Sequence, residues 1–280
     1  MREPAGTASS PWARLLDAAL VAGALVMLSP LLWAALASLK PTNQELFAHP
    51  FALPARPTLR NLQRALEEGQ LGAYAVNSLL VTGLSVTLVS GLGLFAGYSL
   101  SRRDTPLRVP LLALFALGAA LPVEAYLIPL GSLLSALGVH DSLWALILPY
   151  TASNLPLAVL LCAAWCSGLP RELEEAALLD GVSTARFYLE IVLPVSRPVV
   201  ATVAALTALA CWNELLLALL LVQDPARRTV PAGLVAFQHA HGTDYPALLA
   251  GLTLISLVSL LAYVVFNRQV VSGVAEGAVK

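Results

Sequence analysis

Charge is scarce in this chain, and lysine and cysteine are scarcer still. Its 280 residues are 12% charged and 58% hydrophobic, with a mean hydropathy of +0.77, whereas soluble domains carry about a quarter charged residues. That shortage excludes an ordinary soluble enzyme and points to a bilayer. The 16 Lys and Arg nearly cancel the 17 Asp and Glu, leaving −1, so there is neither a basic field for nucleic acid nor an acidic tail. Cys162, Cys166 and Cys211 are an odd set, each inside an apolar run, which favours buried free thiols over a disulfide framework. The two lysines, Lys40 and Lys280, follow Leu39 and Val279. The phosphate-cradling loop Gly-x-x-x-x-Gly-Lys-Ser/Thr is therefore missing, and so is a His-Glu-x-x-His helix. His239 and His241 have metal-like spacing but no third ligand beside them, so no metal site and no catalytic group is expected.

What is present is a set of long apolar runs. Crossing about 30 Å of hydrocarbon takes roughly 20 residues of helix, and stretches near 15–37, 76–100, 109–134, 142–165, 197–222 and 247–266 qualify. Polar or Pro-punctuated segments such as Lys40-Pro41-Thr42-Asn43 and Ser101-Arg102-Arg103-Asp104-Thr105-Pro106 separate them. The expectation is an all-α, polytopic membrane protein with six spans and a single domain over 1–280. Ala35-Leu36-Ala37 imitates a signal-peptidase site, but the preceding run is long for a signal peptide, so the first span is expected to be retained. With six spans both termini share a side. Of the 16 basic residues, that side takes ten: Arg2, Arg14, Arg102, Arg103, Arg108, Arg171, Arg186, Arg197, Arg268 and Lys280. The other side takes Lys40, Arg56, Arg60, Arg64, Arg227 and Arg228. The positive-inside rule then puts both termini in the cytoplasm.

One inter-span segment, 166–198, is too long and too well patterned to be a plain loop. Pro170 suits a helix start, and Glu172, Glu174 and Glu175 suit the positive end of its dipole. Gly181 ends the run as a left-handed cap does. Ser183 is positioned to cap a second helix passing Phe187 and Ile191, with Pro194 expected to stop it. The result is a helical hairpin on the cytoplasmic face.

Glu175-Ala176-Ala177-Leu178-Leu179-Asp180-Gly181, followed after Val182 to Glu190 by Ile191-Val192-Leu193-Pro194, resembles the cytoplasmic signature of ABC-importer permeases. Val182, where Ala is common, is a small departure. The resemblance covers nearly the whole chain. Asn77-Ser78-Leu79-Leu80, Ala96-Gly97-Tyr98-Ser99-Leu100-Ser101-Arg102, Trp212-Asn213-Glu214 and the Gly277-Ala278-Val279-Lys280 ending look like the carbohydrate-uptake branch, in particular its shorter, maltose-type second permease. That resemblance implies a prokaryotic plasma-membrane subunit forming half of a pathway for a mono-, di- or oligosaccharide. It also implies a sister permease, two copies of an ATPase that binds ATP and Mg, and an extracytoplasmic sugar-binding protein. Glycerol phosphate, a polyol or an osmolyte is the alternative cargo; a secondary transporter fits less well, since no repeat-related halves are visible. The coupling residues it implies are Glu174, Glu175, Ala176, Ala177, Leu178, Asp180, Gly181, Phe187 and Pro194.

Charges inside a bilayer cost roughly 2.5–3.5 kcal/mol each on insertion scales, so Glu124 and Glu214 need a reason to be there. Both are expected to face the bundle interior. Glu124 lies between Pro122 and Pro129, where a bend exposes carbonyls to a pathway. Trp212, Asn213 and Glu214 combine a ring for a sugar face with groups for sugar hydroxyls, although Asn213 and Glu214 equally suit bonds to a neighbouring helix. Gly93-x-x-x-Gly97 is a weak signal for close helix approach.

Overall fold

A computed structural model describes residues 11–67, 70–102, 107–235, 238–239 and 242–278. Arg2, Arg103, His241, Val279 and Lys280, used above, lie outside them. The chain divides into two compact units, Met1–Gly69 with Phe237–Ser256, and Gln70–Ala236 with Leu257–Lys280. The fold is all-α; the strands among the described residues are the two-residue antiparallel pair β1 (Gln238–His239) and β2 (Gly242–Thr243).

In the first unit α1 (Pro11–Ser38) carries Arg14 and Asp17 near its start and is otherwise largely apolar, and its Leu15–Ser38 stretch is long enough to cross a bilayer. The chain then turns back on itself through α2 (Asn43–Ala48) and α3 (Arg60–Glu67). Backbone groups at this turn are satisfied by buried side chains, as they must be away from water. Asn61 Nδ2 donates to the Ser38 and Lys40 carbonyls at 2.7 Å each. Lys40, 1% exposed, donates from Nζ to the His49 carbonyl at 2.5 Å and the Pro50 carbonyl at 3.2 Å. Lys40 is thus a buried staple of the turn and not the solvated loop cation its sequence neighbours suggest. Asn43 ties in the other segment of this unit: its amide donates to the Thr243 carbonyl at 2.8 Å and its Oδ1 accepts from Tyr245 N at 3.1 Å. Arg64 and Asp244 pair at 2.6 Å beside them. From Tyr245 the chain is one continuous helix to Ala278.

The second unit is built on α4 (Leu71–Ser101) and α7 (Trp144–Cys166), both long and apolar enough to span. At 1.5 Å per residue the 31 residues of α4 reach about 46 Å. These helices touch backbone to side chain because Gly93 faces Ala158 and Gly97 faces Cys162 and Ala163. The Gly93-x-x-x-Gly97 signal is therefore used within the chain. Against this pair lies α11 (Arg197–Trp212), contributing Val199 and Val203 to a core with Val89, Leu94, Ala158, Cys162 and Cys166. All three cysteines are free and buried.

Two of the expected spans are not single helices. The third divides into α5 (Arg108–Ala120), a 3-10 turn over Val123–Tyr126 and α6 (Leu127–Ala136), bent by 95°. The cause is Pro122, which forces Leu121 into extended backbone (φ −76°, ψ 119°) and lacks the N–H to continue the helix. The fifth stops at Trp212 and resumes as α12 (Leu216–Leu221). α8 (Glu172–Leu179) and α9 (Thr184–Phe187) form the hairpin between α7 and α11. Pro194 does not stop the second hairpin helix. The chain continues through a π-helical turn, Tyr188–Val192, and α10 (Leu193–Val195), where Pro194 sits in a first turn that needs no donor. The break falls at Ser196, with a 76° bend into α11.

Candidate functional site

The hairpin is fastened below and open above. α8 ends in a Schellman arrangement: Gly181, at φ +70°, donates to the Leu178 carbonyl at 3.1 Å, and Val182 donates to the Ala177 carbonyl at 3.0 Å. That left-handed step needs glycine and turns the chain sharply into Ser183, which caps α9 by accepting from Arg186 N. Ala177 and Phe187 are buried in the core shared with Cys162, Cys166, Val192 and Val199. Pro194 is half-buried. Glu175, Ala176, Leu178, Leu179, Asp180 and Gly181 are exposed, Leu178 at 69% and Leu179 at 89%. Ala176 and Ala177, both coupling residues by the resemblance, thus have different settings. Ala176 lies on the open face and Ala177 is the anchor, as one position of helical rotation requires.

Glu174 belongs to the anchor as well. Its Oε2 accepts from the Tyr98 hydroxyl at 3.1 Å and pairs with Arg102 Nε at 3.2 Å. Arg102, with its side chain 15% exposed, also donates from Nη2 to the Tyr98 hydroxyl at 3.1 Å and from Nη1 to the Leu169 carbonyl at 3.4 Å. Its guanidinium carbon lies 4.8 Å from the centroid of the Tyr98 ring. Tyr98 and Arg102 end α4, and Leu169 follows α7, so one guanidinium reaches both helix ends and the hairpin.

The proposed pathway acids sit at the two breaks, in unlike settings. Glu124 lies on the 3-10 turn and is exposed on this chain, not turned into the bundle interior. Glu214 is half-buried and fully engaged: Oε2 accepts from the Tyr150 hydroxyl at 2.8 Å and from Ala218 N at 3.1 Å, while Oε1 accepts from Leu217 N at 2.9 Å. It caps α12, which explains how the fifth span breaks without a proline there. Asn213 is exposed and its amide donates back to the Leu209 carbonyl at 2.9 Å. Trp212 is half-buried, and its indole N–H is enclosed without a partner. The structure brings Trp212, Asn213 and Glu214 together by chain continuity alone; Glu214's nearest side-chain partner, Tyr150, comes from α7.

At the far end of α7, Asp141 in a left-handed turn (φ 55°) accepts at Oδ1 from Gln223 N at 2.8 Å and Asp224 N at 2.9 Å. Its backbone carbonyl accepts from Arg227. The two backbone N–H groups, with Arg227 assisting, hold the Asp141 carboxyl below the usual carboxylate range. This carboxylate closes the loop after α12 onto the turn before α7.

Residues 90–274 match the model of a family described as the binding-protein-dependent transport system inner membrane component. The chain belongs to this family. As a permease of that kind, it is 34% identical over 254 residues to the sulfoquinovosyl glycerol transport system permease protein SmoH of Agrobacterium fabrum, a match covering 90% of this chain and 89% of SmoH. It is 30% identical over 261 residues to the trehalose/maltose transport system permease protein MalG of Thermococcus litoralis, covering 92% and 93%. In fold it is similar, at a TM-score of 0.79 and 18% identity, to a chain in the crystal structure of a bacterial ABC transporter involved in the import of the acidic polysaccharide alginate, covering 95% of this chain and 99% of that one. The permease also contains functional geometry that reading along the sequence missed. Tyr150 and Asp141 carried a signal, a hydroxyl and a carboxylate next to apolar spans, but no spacing rule linked either to a partner 64 or 83 residues away.

Proposed function

We propose that this permease forms one half of the translocation pathway of an ATP-driven sugar importer, with both termini in the cytoplasm, and that the 166–198 hairpin couples it to a separate ATPase. The observation that carries this reading is the hairpin's division of labour. Ala177, Phe187 and Glu174 hold it to the chain's own core, while Leu178 and Leu179 stand exposed between Glu175 and Asp180. Exposed leucines rimmed by acids, on a helix closed by Gly181, are a contact surface for an apolar groove with a basic rim. Closure of two ATPase subunits, which hold ATP and Mg, would move such a rigid hairpin as a body and turn the attached spans, giving alternating access. A sister permease supplies the other half of the pathway, and an extracytoplasmic sugar-binding protein delivers the cargo. Sugar as cargo is supported by the names of the relatives SmoH and MalG.

The test is reconstitution of this chain in lipid vesicles with the permease, ATPase and binding protein encoded beside it. ATP-dependent uptake of the carbohydrate that co-purifies with the binding protein is the expected result. A polyol, glycerol phosphate or osmolyte in that protein's pocket overturns the choice of sugar. Uptake that proceeds without the ATPase overturns the importer reading itself.

A further inference from the structure

We propose that Arg102 is a positioning residue of the coupling step, clamping the hairpin to the end of α4 so that hairpin displacement moves α4 together with α7 and α11; this rests on the coupling reading above. Chain continuity joins the hairpin only to α7 and α11, through Leu169 and Ser196. Beside apolar contacts, which slide, two tyrosine hydroxyls already bridge the hairpin segment and α4: Tyr98 donates to Glu174 at 3.1 Å, and Tyr188 of the π-helical turn donates to the Gly91 carbonyl at 3.4 Å. Arg102 adds the charged link, with contacts at three points. It pairs with Glu174 on α8 at 3.2 Å, donates to Tyr98 on its own helix at 3.1 Å, and donates to the Leu169 carbonyl at 3.4 Å where α7 hands over to the hairpin.

The surroundings make this link stiff. Arg102 is largely shielded from water, where a charge pair is screened less than at an open surface. The Tyr98 ring packs under the guanidinium and beside Phe187, ring centroids 6.1 Å apart. Tyr98 thus braces Arg102 while its hydroxyl both receives from Arg102 and donates to Glu174. A planar fork suits this set better than a lysine ammonium, with Nη1 and Nη2 donating to Leu169 and Tyr98 while Nε faces Glu174 as an ion pair without hydrogen-bond alignment. About 7–8 Å back along α4 from Arg102, at 1.5 Å per residue, Gly97 locks against Cys162 and Ala163 of α7. Motion delivered at Arg102 therefore reaches a helix pair that moves as one piece.

The experiment uses the complete reconstituted importer and compares Arg102→Glu, Glu174→Gln and the charge swap Arg102→Glu/Glu174→Arg with the unmodified complex. Uptake and binding-protein-stimulated ATP hydrolysis are expected to fall about tenfold in Arg102→Glu, within the range of ordinary coupling energies, while normal amounts of ATPase still co-purify. The charge swap should recover at least about threefold of that loss, and Glu174→Gln should fall partway. Spin labels at Leu92 and Glu172, both exposed and outside the ATPase contact surface, give a second readout: a narrow distance distribution in the complex that broadens in Glu174→Gln. If Arg102→Glu is lost from the membrane, Glu174→Gln, which keeps shape and removes only charge, decides by both readouts. Native uptake with a narrow distribution in Glu174→Gln overturns the clamp, as does a charge swap no better than the single variant. Failure of the unmodified complex to couple uptake to ATP sinks the functional reading instead, and is visible before any variant is made.

Discussion

Gly97 and Cys162 meet so closely that a Cβ added to the glycine would lie 2.5 Å from the cysteine Cβ and 2.8 Å from the Ala163 nitrogen. Backbone cannot yield there without separating α4 from α7, the helices on which the second unit is built. Gly97→Ala is therefore expected to destabilise the permease by about 1–3 kcal/mol, the usual cost of overpacking. Thermal unfolding in detergent checks this, with Gly91→Ala, which meets nothing within 4 Å, as the control that stays near the native midpoint. Equal midpoints for the two variants would contradict the packing.

Glu214 tests the difference between a pathway acid and a structural one. Glu214→Ala removes the acceptor for the Tyr150 hydroxyl and for two α12 N–H groups, and orphaned buried donors cost about 1–3 kcal/mol. Glu214→Gln keeps one acceptor oxygen and should lose less. A lowered unfolding midpoint in Ala, partly restored in Gln, is the expected order. Native stability in Glu214→Ala with abolished uptake would instead return this carboxylate to the substrate.

The hairpin turn depends on a left-handed residue. Gly181→Pro cannot adopt φ +70°, and deletion of 174–181 removes the turn and its anchor together. Both variants are expected to insert in the membrane and to lose uptake, with the ATPase no longer recovered in pull-downs. Uptake and normal ATPase recovery in either would remove the coupling role from this segment.

Asp141 predicts an acid limb of stability. Its carboxyl titrates lower in the folded chain than the ordinary value of about 3.9 in an unfolded one. The carboxylate thus contributes stability above about pH 4, and that contribution is lost as pH falls further, through the folded value. Asp141→Asn should lower the midpoint at neutral pH and flatten its decline below about pH 4. Parallel pH profiles for the two proteins would mean that the Gln223 and Asp224 backbone contacts do not depend on the charge.

Much of this molecule is readable along the chain, because the bilayer imposes a simple rule: every backbone group inside it must bond within its own helix or closed structure, over roughly 20 residues. That rule makes the apolar runs visible and the 166–198 segment conspicuous among them. Gly181 as a helix end and Ser183 as a cap are local chemistry, decided within four residues, and the sequence states them. Pro122 breaking the third span is also local, although a 95° bend is more than its presence alone announces. The tertiary structure decided the rest, for a common reason: each outcome depends on which partner a polar group finds across the fold. Glu214 caps a new helix and meets Tyr150, so a residue that looked free for substrate is occupied. Lys40 is buried among carbonyls of its own turn. Ala176 and Ala177 part to opposite faces because only one of them points at the core. Arg102, one basic residue among many in a charge count, becomes the bond between α4 and the hairpin once Glu174 is folded against it.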